Sequence, residues 1–378
     1  MRIGIDCRTI SDANFKELGG IGHYTYYLVH KLIELDDSNQ YFLFFYNKEI
    51  DVSQFDKPNV KCVVLPGVRY KKFFPFFYNH LFVPQILRFY HLDIYHNPAN
   101  IIPLFYMGKS VITVHDLAIY KNPAWFPRGQ WFSRHILVPL SIKRAKKIIA
   151  VSESTRNDLI NIFKIIPDKI KVIYEGVGFD KRLLNDSVSY KPSDKFKNLG
   201  RYFLYVGTLE PRKNLVRVIQ AYHNFLNKFP DENINFVIAG RRGWKYDDIF
   251  NAIEQYGLQD KIIMFGYINP LEKIYLMKNA FTFIFTSLYE GFGLPILESM
   301  LLGAPIITSN ISSIPEIIID NAVLVDPYNV GDIEAGMEKL TFNSALREKL
   351  IQRGQEIAKN YTWTNCGQDT IKVYSEIF

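Results

Sequence analysis

A chain of 378 residues is too long for one ordinary core and suits two domains of about 150–200 residues each. With 48% hydrophobic and 22% charged residues, each half can bury a core, which excludes a mainly disordered chain. The net charge of +7 suits a handler of nucleotide diphosphates or a protein resting on an anionic membrane; it does not by itself point to nucleic acid, and none is expected as a partner. Cys7, Cys62 and Cys366 are odd in number, far apart and without CxxC spacing, so reduced thiols are expected rather than a disulfide frame or zinc site. The apolar run at the N-terminus is too short for a signal peptide and is broken by Asp6. No window holds the roughly 18 apolar residues that span a bilayer. The expected location is the cytoplasm, with peripheral contact at the inner face of the cell membrane allowed.

Short β-rich runs separated by helical stretches predict strands at 2–10, 41–46, 60–65, 92–96, 110–114, 147–151 and 171–174. A second set is predicted at 202–206, 235–239, 261–265, 282–286, 305–308 and 322–325. Continuous apolar strands alternating with helices indicate parallel sheets covered on both faces. The expected division is 1–180, 198–360 and a C-terminal helix over 361–378 that crosses back to the first domain. Residues 186–194 read as polar, turn-prone linker. Ligands of such sheets lie beyond the carboxyl ends of the strands, and with two sheets the natural site is the cleft between them.

Taken in chain order, Gly19-Gly20-Ile21-Gly22 reads as a loop that opens a helix over 24–35, and its glycines permit close approach of a ligand. The stretch 69–78, with Arg69, Lys71 and Lys72 among aromatics, reads either as the start of a buried helix with lysines outside or as a membrane-interface segment. His115 and Asp116 lie just past the strand 110–114; His115 is a catalytic or a structural histidine, and Asp116 orients it or caps the next segment. Ser152 reads as a helix N-cap. Gly207 ends a strand, and Arg212 and Lys213 follow in a strand-to-helix turn, where a guanidinium and an ammonium can neutralise a leaving diphosphate. Arg241 closes another strand and suits either a base or phosphate contact or a solvent-facing turn. Gly266 and Tyr267 follow the strand 261–265.

The richest segment runs from Thr286 to Met300. Gly291, Phe292, Gly293 and Leu294 form a tight turn at a helix N-terminus, an anion site for a phosphate or sugar hydroxyl. Pro295 suits the first helical turn and Gly303 its end. Glu298, about one turn in, can accept two hydrogen bonds from the vicinal diol of a ribose, and Glu290 lies nearer to where a hexose would sit. No Asp-x-Asp metal motif follows a strand, so no metal and no cofactor are expected, and Arg212 and Lys213 must meet the departing charge.

Glu290-x7-Glu298 with its interior Gly291-Phe292-Gly293-Leu294-Pro295 resembles glycosyltransferase family 4, retaining enzymes of GT-B architecture. The segments Gly303 to Asn310, Ile314-Pro315-Glu316 and Gly207-Thr208-Leu209-Glu210-Pro211-Arg212-Lys213-Asn214 are similar to the same family. The resemblance implies an α/β fold of two Rossmann-like doubly wound domains facing a central cleft. It also implies a hexosyltransferase that uses a GDP- or UDP-hexose, GDP-mannose being weakly favoured. The implied acceptor is an oligosaccharide or lipid-linked saccharide of cell-surface polysaccharide or lipopolysaccharide synthesis. By resemblance His115, Glu290, Arg212 and Lys213 are catalytic. Gly20, Gly22, Asp116, Gly207, Gly266, Tyr267, Gly291, Phe292, Gly293, Leu294 and Glu298 join Arg212, Lys213 and Glu290 in binding donor or substrate. The alternatives are a nicotinamide-linked dehydrogenase, a nucleotide-sugar epimerase of the same architecture and a non-catalytic sugar-binding protein. The dehydrogenase needs Gly-x-Gly-x-x-Gly directly after a strand, and here the third glycine is missing.

Overall fold

The computed structural model describes residues 1–378 apart from 11–18, 47–49, 68–72 and 180, and only the backbone at 181 and 182. Two compact units result. The first holds Met1–Lys121, Arg128–Gly176 and Thr362–Phe378; the second holds Asn122–Pro127 and Val177–Tyr361.

Among the described residues, the first unit carries β1 (Arg2–Asp6), β2 (Gln40–Phe45), β3 (Val60–Val64), β4 (Ile94–Asn97), β5 (Ser110–Val114), β6 (Lys147–Ala150) and β7 (Ile170–Val172). They lie in the order β3-β2-β1-β4-β5-β6-β7, every pair parallel. Successive strand residues point to opposite faces, and the core divides accordingly. Ile3, Ile5, Tyr41, Leu43 and Phe45 pack into one cluster, while Phe42, Phe44, Tyr95, Ile112 and Val114 pack into another. Both faces are thus covered, which is why these strands read as unbroken apolar runs.

The helix Gly20–Leu35 starts four residues earlier than the sequence suggests. The glycines are its first turn rather than a loop before it, because the buried stripe Tyr24, Leu28, Leu32 carries helical backbone back to an extended Gly19. The C-terminal helix Trp363–Ser375 packs on it in the same core: a Cβ at Gly367 would lie 3.1 Å from Lys31 Cβ. His96 Nδ1 also lies 2.6 Å from the Tyr374 hydroxyl.

The second unit carries β8 (Arg201–Val206), β9 (Ile234–Ala239), β10 (Ile262–Gly266), β11 (Thr282–Phe285), β12 (Ile306–Ser309) and β13 (Val323–Val325), ordered β10-β9-β8-β11-β12-β13 and again parallel. The carboxyl ends of β8 and β9 come so close that a Cβ at Gly240 would fall 1.8 Å from the Gly207 carbonyl oxygen, so position 240 admits only glycine. The stretch read as linker overlaps a helix, Lys181–Ser189, and a 3-10 turn, Asp194–Phe196. Its residues are mostly polar and solvated, and it is tied to the unit where Lys278 Nζ donates to Ser187 Oγ at 3.1 Å.

In each sheet the chain reverses its direction of growth once, between β1 and β4 and between β8 and β11. Beyond the carboxyl ends at that point, open α/β sheets bind their ligands.

Candidate active site

In the second unit, β8 and β11 are the neighbours at the reversal, and the loops leaving them meet. The turn Pro211–Lys213 follows β8. Asn214 closes it at φ 64°, a left-handed conformation that asparagine tolerates, and the helix Leu215–Lys228 begins there. The backbone of Leu288 donates to the Arg212 carbonyl at 2.8 Å. Asn214 Nδ2 donates to the Thr286 carbonyl at 3.1 Å, so the two loops form one body.

Arg212, Lys213 and Glu290 are brought together there. Lys213 Nζ donates to Glu290 Oε1 at 2.6 Å, and Arg212 Nη1 donates to Glu290 Oε2 at 2.9 Å. Arg212 Nη2 donates to Glu210 Oε1 at 2.7 Å. Lys213 Nζ also lies 4.8 Å from the centre of the Phe285 ring. Burial pushes the Glu290 carboxyl up, but Arg212 and Lys213 outweigh it and hold it at about 2. Burial, then the adjacent Arg212 charge, pulls the Lys213 ammonium below its usual range. Two cations and two carboxylates thus stand locked before any ligand arrives. An ammonium has three protons and Glu290 takes one, so Lys213 can serve a further acceptor.

The far side of the 286–293 loop is fixed by serines. Ser312 Oγ accepts from the Glu290 amide at 3.1 Å, and Ser313 Oγ lies 3.0 Å from the carbonyls of both Glu290 and Phe292. Gly293, at φ 112°, begins the helix Leu294–Leu302, with Pro295 in its first turn and Gly303 ending it at φ 82°. Gly291, Phe292 and Gly293 are buried in this turn, and Leu294 is half-buried. Glu298 is buried on the same helix, with Lys273 Nζ 2.5 Å from its Oε2, an ion pair whose angles miss those of a hydrogen bond. Lys273 comes from the helix Pro270–Lys278, whose start is fixed by a capping box of Asn269 and Glu272. At the ends of β9 and β10, the Arg241 guanidinium lies 4.4 Å above the Tyr267 ring, beside Gly266 at φ 63°.

The first unit places its residues around β4 and β5. His115 is half-buried, with Nδ1 3.0 Å from Glu175 Oε1 and Nε2 3.0 Å from the Pro98 carbonyl oxygen. Both neighbours are acceptors, an arrangement that favours the doubly protonated ring. Burial lowers its affinity for the proton, but the Glu175 hydrogen bond and charge raise it further, so its pKa lies above the ordinary value. The Tyr24 ring packs edge-on to it at 4.6 Å, which brings the helix opened by Gly20 and Gly22 to His115. Asp116 turns away and caps the next segment, accepting from the Ala118 amide at 3.0 Å. Ser152 accepts from the Thr155 amide at 3.0 Å as an N-cap.

A His whose pKa is raised on folding stabilises the native state fully below about 6.5, and that contribution is lost as pH rises through the folded value. The melting temperature should therefore fall as pH is raised above the ordinary histidine range, and Glu175→Gln should flatten that dependence. A melting profile that is the same in the two proteins would contradict the pairing.

Sequence reasoning missed Glu175, Lys273 and the roles of Glu210, Ser312 and Ser313. Glu175 follows the run 171–174, so the same strand-end rule that selected His115 was available for it. Lys273 had no local signal, because its meaning comes from a helix distant in sequence.

Two doubly wound parallel sheets with an ion cluster at the reversal of one define a protein of the GT-B class. Solved structures share the fold: sucrose-phosphate synthase from Thermosynechococcus elongatus aligns over 100% of this chain and 99% of its own, with a TM-score of 0.76 at 18% identity. Anabaena HepE, in a structure with UDP and glucose, aligns over the whole of both chains with a TM-score of 0.72 at 18% identity. Residues 18–181 match the model of Glycosyltransferase Family 4, and residues 189–357 match that of Glycosyl transferases group 1. O-antigen chain mannosyltransferase B of Escherichia coli is 32% identical over 76% of this chain and 75% of its own. The chain belongs to this glycosyltransferase family and is a glycosyltransferase.

Proposed function

We propose that the chain moves a hexose from a nucleotide diphosphate sugar to a saccharide or lipid-linked saccharide, with retention at the anomeric carbon. The observation that carries this is the Arg212–Glu290–Lys213 cluster at the β8–β11 reversal, where two fixed cations stand ready for a diphosphate. In this reading Lys213 and Arg212 hold the phosphates, and the turn Gly291, Phe292, Gly293, Leu294 holds the β-phosphate and sugar. Glu290 positions both the cations and the hexose. Glu298 takes the ribose diol, exchanging part of its contact with Lys273. Gly207 lets backbone approach the diphosphate, Gly266 and Tyr267 offer backbone to the base, and Gly20 and Gly22 let the first helix approach donor and acceptor.

The chemistry needs no metal, because two side chains supply the positive charge that meets the leaving group. The acceptor hydroxyl oxygen bonds to the anomeric carbon as the bond from that carbon to the β-phosphate oxygen breaks. The hydroxyl proton passes to the departing diphosphate on the same face. His115, with both nitrogens facing acceptors, serves catalysis as a charge rather than as the base.

The similarity to a mannosyltransferase of O-antigen synthesis favours mannose from GDP-mannose, and an acceptor of cell-surface polysaccharide synthesis. UDP-hexoses stand next. The test is NMR of the product made from GDP-mannose: an α-linked product, as in the donor, supports the reading, and a β-linked product refutes retention.

A further inference from the structure

Two features lie outside the site described above. One is the basic-aromatic stretch 69–78: residues 69–72 are outside the described residues, and Phe73 and Phe77, 70% and 59% exposed, do not form the buried helix start that was one expectation. No helix among the described residues is long and apolar enough to cross a membrane. The other is a cavity of about 710 Å³ that lies wholly in the second unit. Its lining includes Glu210, Pro211, Asn214 and Leu288, so the turn that carries Arg212 and Lys213 forms one wall. Arg212, Lys213 and Glu290 are not among the lining residues, so the cavity lies on another side of that turn.

The other walls are held in place by their own sequence. The helix Asp247–Gln255 buries Ile249, Ala252 and Ile253. That leaves Asp248, Asn251 and Gln255, spaced three and four apart, together on the side that lines the cavity. Gln220 lines it from the helix Leu215–Lys228, one turn beyond Val216. Asn122 and Trp125 close it from the 3-10 turn Pro123–Trp125, which Asn122 caps by accepting from the Ala124 amide at 3.0 Å. That turn is pinned in turn: Trp244 Nε1 donates to the Trp125 carbonyl at 2.5 Å, and Lys245 Nζ donates to the Ala124 carbonyl at 2.6 Å. The Phe126 and Trp244 rings stack beside it at 5.9 Å. Tyr256, stacked on His223 at 4.8 Å, and Tyr328 bring two more rings to the lining.

The lining is balanced in charge, with Glu210 and Asp248 against Arg217 and Lys245. Both cations are engaged: Arg217 Nη1 donates to Asn214 Oδ1 at 2.9 Å with its guanidinium 5.6 Å from the Tyr328 ring, and Lys245 holds Ala124. An anion therefore finds no excess of positive charge there. Among the described residues, no hydrogen bond engages the side chains of Gln220, Asp248, Asn251 or Gln255. Each amide offers a donor and an acceptor together, and the carboxylate can accept from two neighbouring hydroxyls. The rings of Trp125, Tyr256 and Tyr328 offer apolar bodies to the C–H faces of a pyranose. The volume falls within the roughly 300–1,000 Å³ of pockets that bury a drug-sized ligand, the bulk of a di- or trisaccharide. We propose that this cavity binds a neutral oligosaccharide, the part of the acceptor glycan remote from the reacting hydroxyl. The identity of that glycan as acceptor rests on the function proposed above; the binding of a neutral saccharide does not.

The test is titration of the full chain, without donor, with trisaccharides of mannose, glucose and galactose and with inorganic phosphate, followed by ligand NMR. At least one trisaccharide is expected to bind, and Trp125→Ala should weaken that binding by about tenfold or more. Asn251→Ala with Gln255→Ala should do the same by removing two amides. Both of those side chains are exposed, so their loss should leave the circular dichroism spectrum unchanged. With a nucleotide-sugar donor, KM for an oligosaccharide acceptor should rise by about tenfold in both variants, because a contact remote from the reaction is the same in ground and transition states. The kcat, and KM for an acceptor of a single sugar ring, should stay as in the native chain. No trisaccharide binding, or binding that both variants retain in full, overturns the proposal. So does phosphate binding that Trp125→Ala abolishes, or an oligosaccharide-acceptor KM that neither variant moves. Failure of hexose transfer, with trisaccharide binding present and weakened in the variants, would instead strike the functional reading alone.

Discussion

Replacing Lys213 with alanine should lower turnover about a hundredfold or more at saturating donor, and leave the circular dichroism spectrum unchanged. The reason lies in the arrangement around Glu290. Lys213 and Arg212 are both half-buried against it, and their positions are set by two loops that hydrogen-bond to each other. A preorganised cation aimed at developing charge is worth about 3 kcal/mol of the barrier. Its removal leaves Glu290 still paired with Arg212, so the fold retains a satisfied carboxylate, unlike a buried pair stripped of its sole partner. The measurement is kcat with the best nucleotide-sugar donor. A rate near that of the native chain would contradict the assignment of this ammonium to the diphosphate.

The second large effect is expected at Glu298. Glu298→Gln keeps the shape of the side chain but removes the charge that the ribose hydroxyls would meet. Hydrogen bonds to a charged group are worth about 1.5–3 kcal/mol, so donor KM should rise by roughly tenfold to a hundredfold. The ribose contact is the same in ground and transition states, so kcat should change much less. Steady-state kinetics with donor as the varied substrate check this. An unchanged KM would mean that Glu298 serves only Lys273, its partner in the structure.

The contrast between these residues shows what a sequence reveals about such a site. Glu290, Glu298, Arg212 and Lys213 were legible because each follows a strand or opens a helix, where the α/β architecture places ligands. The strands were legible because burial on both faces writes them as apolar runs, divided in the first unit between two cores. What stayed hidden is pairing across the chain. The Glu175 partner of His115 is 60 positions away, and no periodicity links them. That pairing matters chemically: the motif marks His115 as a catalytic or a structural histidine, whereas two acceptors at its nitrogens favour its charged form. The helix Lys181–Ser189 stayed hidden for a different reason, since Asn185, Asp186, Ser187 and Ser189 are residues that favour turns. The start of the first helix was misplaced because Gly19, Gly20 and Gly22 favour a loop by propensity, and packing of Tyr24 and Leu28 outweighs that cost of roughly 1 kcal/mol per glycine.

The central claim is that the second unit binds a nucleotide diphosphate sugar through the cluster at the reversal of its sheet. A thermal-shift panel of nucleotide sugars tests it most directly, because a ligand that binds only the native state raises the melting temperature by mass action. The account predicts a rise with GDP-mannose, or with a UDP-hexose in its place, that is lost in Lys213→Ala and reduced in Glu298→Gln. No shift with any nucleotide sugar, or a shift that both variants retain in full, would contradict it.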